Sequence, residues 1–341
     1  MKKIRTRDAV GHVLCHDITR IVKGEFKGPV FRKGHVVREE DIPVLLSVGK
    51  ENLYVWEKKE GWLHEDEGAM RLYQLCANEH IGRTEPKEGK IEIFSQIDGL
   101  LKVDAEGLYK VNRIGEMMIA SRHGDFPVKK GDTLAGMRVI PLVIEEKKLE
   151  AAKKAVKGPL FTLLPFREKK VGIVTTGGEV YRGRIKDAFG PVIREKLSDY
   201  PAKVLGQTIV DDDKAMIHQA IEAWIGAGAD MVLCTGGMSV DPDDLTPAAI
   251  AAAGGETISY GAPVLPGAMF LLSYVRREGR TIPVVGLPGC VMYAGRTVFD
   301  LILPRLMADD PVTADELAAL GHGGLCLNCP VCVFPNCGFG K

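Results

Sequence analysis

No run of apolar residues in this sequence is long enough to span a bilayer. The basic opening segment, MKKIRTRDAVGHVLCHD, is not followed by the apolar core of a secretory signal. These absences lead to the expectation of a cytoplasmic protein with no membrane partner. Net charge is also missing: 45 Lys and Arg balance 45 Asp and Glu, so nothing in the overall charge draws the chain to nucleic acid. The first half lacks any catalytic constellation. His64, His80 and His123 stand alone in the sequence and read as packed or surface histidines. Of the eight cysteines, Cys15, Cys76 and Cys234 are scattered and read as core thiols.

What is present fits two globular domains with their own cores: 341 residues, 45% of them hydrophobic. The expected division is 1–155, a β-rich N-terminal part ending in a linker helix; 156–312, an α/β domain; and 313–341, a Cys-rich tail. In the first part, Val13–Ile18, Gly28–Phe31 and Asn52–Trp56 read as strands, and Glu39–Val48 as a short helix. Further strands are expected at Ile91–Phe94, Leu100–Val103, Leu108–Val111, Met117–Ala120 and Met137–Ile144, forming a small barrel or sheet. Glu145–Val156 is charged and helix-favouring.

The second part is organised around VGIVTTGGEVYRGRIKD, residues 171–187. An apolar β-branched run breaks at Gly177 and Gly178 and leads towards a helix, an arrangement that brings backbone amides and a helix dipole to one anion-sized spot. The design recurs where Met231–Cys234 runs into Gly236, Gly237, Ser239 and the acidic Asp241, Asp243 and Asp244. Thr246 and Pro247 then start a helix that Gly254 stops, and a third loop, GLPGC at 286–290, ends the apolar run Ile282–Val285. Between the first two loops, Asp187 caps a helix burying Phe189, Ile193 and Leu197. Val204–Val210 is a strand, and Ile217, Ala220, Ile221 and Trp224 form a buried helical stripe with Asp213 as its cap. Alternating strands and helices predict a largely parallel sheet flanked by helices, with ligands at the carboxyl ends of the strands. Acidic side chains beside a phosphate site repel it unless a cation lies between, which points to Mg²⁺.

In order and spacing, TTGGEVYRGRIKD, TGGMSVDPDDLTPAA and GLPGC resemble the molybdopterin-binding domain of molybdenum cofactor biosynthesis proteins, a family of MoeA-type insertases and stand-alone adenylyltransferases. The resemblance runs over roughly residues 168–306. It implies molybdopterin as ligand, with an adenylyl nucleotide and molybdate or tungstate as further partners, and a homo-oligomer, dimer or trimer. Matched to the insertase pattern, Thr176, Gly177, Gly178, Gly236, Gly237, Ser239, Pro288, Gly289 and Cys290 would hold the pterin. Asp244, Asp187 and Glu179 would do the chemistry, with Asp244 positioning metal and nucleotide. Two departures stand out. Cys290 replaces the asparagine that usually ends GLPGN, and Ala268 and Met269 follow Pro266-Gly267 where insertases carry a lysine. The implied activity is Mg²⁺-dependent insertion of metal into adenylylated molybdopterin with loss of AMP. The alternatives are adenylyl transfer from ATP, which the LTPAA match favours, and a non-catalytic cofactor carrier or sensor.

The tail, GHGGLCLNCPVCVFPNCGFGK, spaces Cys326, Cys329, Cys332 and Cys337 as C-x2-C-x2-C-x4-C. Four thiolates in so short a span suit one metal centre, either Zn²⁺ or an iron–sulfur cluster, better than disulfides in a cytosolic chain.

Overall fold

The computed structural model describes residues 2–22, 26–55, 60–76 and 78–341, which divide into two compact units. The first comprises Met1–Gln96, Val103–Arg122 and Lys130–Thr162; the second comprises Ile97–Lys102, His123–Lys129 and Leu163–Lys341.

Short antiparallel pieces build the first unit. Lys2–Arg5 pairs with Asn52–Val55, and Ile18–Val22 pairs with Phe26–Phe31. Ile81–Arg83, Lys90–Ser95, Thr133–Val139 and Met117–Ser121 lie side by side, in that order, in a four-stranded antiparallel sheet. The short helix is Asp41–Ser47 and the linker helix Glu146–Ala155. Trp56, the end of one expected strand, lies outside the described residues. The strand expected at Leu108–Val111 is instead part of the helix Ala105–Arg113. Asp104 caps it by accepting from the Gly107 N–H at 2.9 Å, and a Cβ on Gly107 would lie 2.3 Å from Asp104 Oδ2. The Glu106-Gly107 pair that suggested a turn is the first turn over which that cap folds. Met117–Ser121 then returns along the sheet. The expected strand Met137–Ile144 splits into Thr133–Val139 and Val143–Glu145, with Pro141, which has no N–H to give a ladder, in the gap.

In the second unit a six-stranded sheet carries the fold. Its strands are β1 (Lys169–Thr176), β2 (Ala202–Val210), β3 (Met231–Thr235), β4 (Glu256–Tyr260), β5 (Leu271–Arg277) and β6 (Arg280–Leu287), laid out as β2-β1-β3-β6-β5-β4. β2, β1, β3 and β6 are parallel, whereas β5 and β4 are added antiparallel at one edge. Alternation along the central strands explains the layers. Val171 and Ile173 of β1 and Leu233 of β3 pack with Ile193 and Leu197 of α1 (Phe189–Leu197). Val174, Val232 and Cys234 face the other way, towards Ile217 and Ile221 of α2 (Lys214–Gly226) and Ile250 of α3 (Thr246–Ala252). Each such buried aliphatic side chain contributes about 1.5–3 kcal/mol. Trp224 lies across β1 and β2 where both strands carry glycine: a Cβ on Gly172 would be 2.5 Å from Trp224 Cγ, and one on Gly206 2.5 Å from its Cη2. Asp213 caps α2, its Oδ1 accepting from Met216 N at 2.8 Å.

Helix α4 (Val298–Met307) closes the first of these layers. The tail is part of the same unit. Thr313 and Glu316 form a capping box on α5 (Ala314–Ala319), and Phe339 is buried in the core that holds Phe126 and Leu301. No helix among the described residues is long and apolar enough to cross a membrane.

Candidate functional site

The carboxyl ends of β1, β3 and β6 bring the three glycine loops together. The second loop lies against the first at van der Waals limits. Gly236 has φ +84°, and a Cβ there would be 2.3 Å from the Thr176 carbonyl oxygen; Gly237 has φ +54°, with Thr246 Oγ1 and Thr176 Oγ1 at 2.9 and 3.0 Å from such an atom. Only glycine satisfies both the left-handed backbone and the contact. Thr246 ties the loop down, its Oγ1 donating to the Gly236 carbonyl at 2.9 Å and lying 3.3 Å from Thr176 Oγ1. In the third loop the first glycine serves packing: a Cβ on Gly286 would meet Met238 Cε of the second loop at 2.5 Å. Pro288 is buried, Gly289 exposed and Cys290 half-buried.

The first loop departs from the sequence-based picture. A single helical turn, Gly178–Tyr181, follows Gly177, too short to aim a useful dipole. The Gly178 N–H is already taken, donating to Asp212 Oδ2 at 2.7 Å. Any phosphate arriving there meets a carboxylate as well as amides, which makes a bridging cation more necessary. Asp212 was legible only as part of the DDD run ending a strand, and nothing in the sequence joined it to Gly178. It is also near the second loop, with Oδ1 3.7 Å from the Cβ position of Gly237.

The three carboxylates singled out from the sequence have different surroundings. Asp187 is half-buried and engaged on both oxygens: Oδ1 accepts from Phe189 N at 2.9 Å, and Oδ2 from Gly190 N at 3.1 Å and Gln207 Nε2 at 2.7 Å. Gln207 also donates to Thr175 Oγ1 at 2.9 Å, linking the cap of α1 to the end of β1. Glu179 is exposed. Asp244 is half-buried and accepts from the Asp241 N–H at 3.3 Å, while Asp241, Asp243 and Ser239 are exposed beside it. Tyr260 donates to the Met238 carbonyl at 3.1 Å; burial, reinforced by the Asp244 charge, pushes its phenol above the ordinary value. Burial likewise raises the Cys290 thiol, so at neutral pH it is a protonated side chain. Cys234, wholly buried, is pushed up to about 12, as is Cys76.

Outside this unit, His64, Glu65 and Asp66 are the one group of three potential ligand residues gathered within 4.8 Å among the described residues. The exposed side chain of Lys33 already supplies a cation to two of them: its Nζ lies 3.0 Å from His64 Nδ1 and 2.5 Å from Asp66 Oδ2. His64 Nε2 is 2.8 Å from the Cys15 carbonyl oxygen, the geometry of a packed histidine.

A mostly parallel sheet with glycine loops converging at its carboxyl edge defines an α/β domain of the anion-binding kind. The family described as "Probable molybdopterin binding domain" matches residues 172–308, and the chain carries a domain of that family. Residues 3–57 match a domain of unknown function, DUF8806. Among curated proteins, the chain is 34% identical over 113 residues to a "Molybdenum cofactor biosynthesis bifunctional protein" of Synechococcus elongatus, covering 33% of this chain and 32% of that one. It is 41% identical over 96 residues to a "CinA-like protein" of Syntrophus aciditrophicus, covering 28% and 23%. The chain thus spans about a third or less of these relatives' length. Among solved structures it is similar to the "tungsten cofactor synthesizing protein MoaB" of Pyrococcus furiosus, at 26% identity and TM-score 0.33, covering 37% of this chain and 84% of that one. The "Molybdopterin biosynthesis Mog protein" of Mycobacterium ulcerans is 20% identical with TM-score 0.35, covering 44% and 99%.

Proposed function

We propose that the loops at the ends of β1, β3 and β6 hold adenylylated molybdopterin, and that the domain releases AMP as molybdate or tungstate joins the dithiolene. The observation that carries this reading is the glycine cradle at Thr176, Gly236 and Gly237, rimmed by Asp212, Asp244 and the exposed Asp241 and Asp243. Amides suit a phosphate, and carboxylates suit it only through a hard cation.

The donor set fits Mg²⁺, which takes carboxylate oxygens and commonly needs only one or two of them beside substrate phosphates. Asp244 and Asp212 would hold it, and it would supply neutralisation of charge on the phosphoanhydride. The chain's own groups do the rest. The backbone of Gly236 and Gly237, fixed by Thr246, holds the pterin phosphate. Asp187, with both oxygens engaged, positions α1 and, through Gln207, the end of β1, rather than meeting substrate. Glu179 is exposed at the mouth of the first loop. Water cleaves the anhydride between AMP and the pterin phosphate: one phosphate keeps the bridging oxygen, the other takes the water oxygen, and the two protons go to solvent. The two dithiol sulfurs bind the metal as one oxygen of the molybdate or tungstate leaves as water with the two thiol protons, so the metal keeps its oxidation state.

A second reading, a carrier that binds the cofactor without turnover, is favoured by Cys290, which stands where insertases carry an asparagine, and by Ala268, which removes the cation that insertases offer an oxyanion. One assay separates the two. Protein prepared without oxygen is incubated with adenylylated molybdopterin, Mg²⁺ and molybdate or tungstate, and AMP is measured. Release that depends on the oxyanion supports insertion; tight binding with no AMP replaces it with the carrier.

A further inference from the structure

The tail cysteines are not used by the loop site, yet they share one place in the fold. Cys326, Cys329, Cys332 and Cys337 all line a cavity of about 380 Å³. We propose that this cavity holds a four-iron iron–sulfur cluster, with one thiolate of the tail on each iron.

The pocket is a built part of the unit. Its entry is fixed by the Leu265 N–H donating to the Gly324 carbonyl and the Cys326 N–H donating to the Leu265 carbonyl, each at 2.8 Å. Its exit is fixed by the Gly340 N–H donating to the Gly323 carbonyl at 2.9 Å and by Phe339 in the core. Gly340 is pressed so closely onto α4 that a Cβ there would lie 2.4 Å from Leu301 Cδ2. Between these anchors, Cys326 and Cys337 are half-buried and packed against the core, while Cys329 and Cys332 are exposed at the rim.

The spread of the thiols selects the kind of centre. Zinc with sulfur at about 2.3 Å in a tetrahedron would place its thiolates about 3.8 Å apart. No three tail sulfurs lie within 4.8 Å of one another; they stand around the cavity, as a cluster requires when each sulfur binds a different iron. The cavity also exceeds the needs of a single ion. A cluster with four thiolate ligands is anionic, and Arg296 supplies charge of the other sign on the cavity wall. Its guanidinium is oriented by Asp300 Oδ1 at 2.9 Å and lies over the Phe334 ring, 4.9 Å from the centroid.

The cavity borders the pterin loops. Pro266 and residues 294–296 form part of its wall, and the Ala294 N–H donates to the Cys290 carbonyl at 2.9 Å. The metal content does not depend on what the loops do, so the proposal stands or falls separately from the activity.

The test is reconstitution of the full chain under argon with ferrous iron and sulfide. The readouts are iron and sulfide content, visible absorption bleached by dithionite, and the electron paramagnetic resonance signal of the reduced protein. The expected result is about four irons and four sulfides per chain. Cys329→Ser and Cys332→Ser, both exposed and so neutral to the core, are expected to lose at least half the iron with an unchanged circular dichroism spectrum. Cys290→Ser keeps all four tail thiols and is expected to retain it. One zinc per chain with no iron, after purification from cells supplied with both metals, would overturn the cluster. Failure to take up iron, or equal iron in wild type and both tail variants, would overturn it as well.

Discussion

Two places in the second unit are prepared for opposite kinds of ligand. At the carboxyl ends of the sheet the available groups are backbone amides and hard carboxylate oxygens, fixed by glycines that tolerate no Cβ. In the tail the available groups are soft thiols around an apolar-walled cavity with one guanidinium. The first site is set by backbone conformation and strand register, so its frame is formed by the chain alone. The second is set by two anchored ends that hold the short loop between them around the cavity. The difference teaches where mutations act: at the loops a single methyl group disrupts the frame, whereas in the tail a single sulfur removes the ligand and leaves the frame.

The sharpest way to break the comparison is Asp244→Ala. Loss of this loop carboxylate is expected to lower AMP release by on the order of 100-fold or more, with the thermal midpoint unchanged, because no core volume is removed. A variant with normal turnover would leave the hard site without its assigned residue. Gly236→Ala tests the frame. It adds a Cβ 2.3 Å from the Thr176 carbonyl at a positive φ, and urea titration is expected to show a loss of about 2–4 kcal/mol. Asp212→Asn keeps an acceptor for the Gly178 N–H and removes the charge, so the Mg²⁺ concentration giving half-maximal AMP release should rise by roughly 10-fold, about 1.4 kcal/mol, without a stability change. The smallest effect concerns thiol reactivity in metal-free protein. Iodoacetamide should modify exposed Cys329 and Cys332 first and Cys290 more slowly, because burial holds its thiol protonated; Cys76 and Cys234 should react only on unfolding. Fast modification of Cys290 would move it to the soft side of the comparison.

The sheet was legible because apolar runs, glycine loops and helical stripes agree over residues 171–287. The two apolar runs at 171–174 and 231–234 fall on neighbouring parallel strands. The family resemblance rested on the same three loops. The helix at 105–113 was hidden because its glycine serves a cap rather than a turn, a relation visible only when Asp104 is seen folded over Gly107. Helix Glu65–Cys76 opens with three acidic residues in its first turn, a start signal the sequence carries directly beside His64. At the candidate site, the family resemblance implied Asp244 and Asp187 but not their partners. Asp187 is committed to the Phe189 and Gly190 amides and to Gln207, 20 residues on. Asp212 reaches back 34 residues to Gly178. Such pairings are set by strand register, which no local pattern encodes.

The most direct test of the central claim, that the loop carboxylates face phosphate through a cation, is the affinity for adenylylated molybdopterin measured calorimetrically with and without Mg²⁺, in wild type and Asp244→Ala. The account predicts at least about 10-fold tighter binding with Mg²⁺ in the wild type and little gain in the variant. Equal affinity with and without Mg²⁺ in the wild type would contradict it.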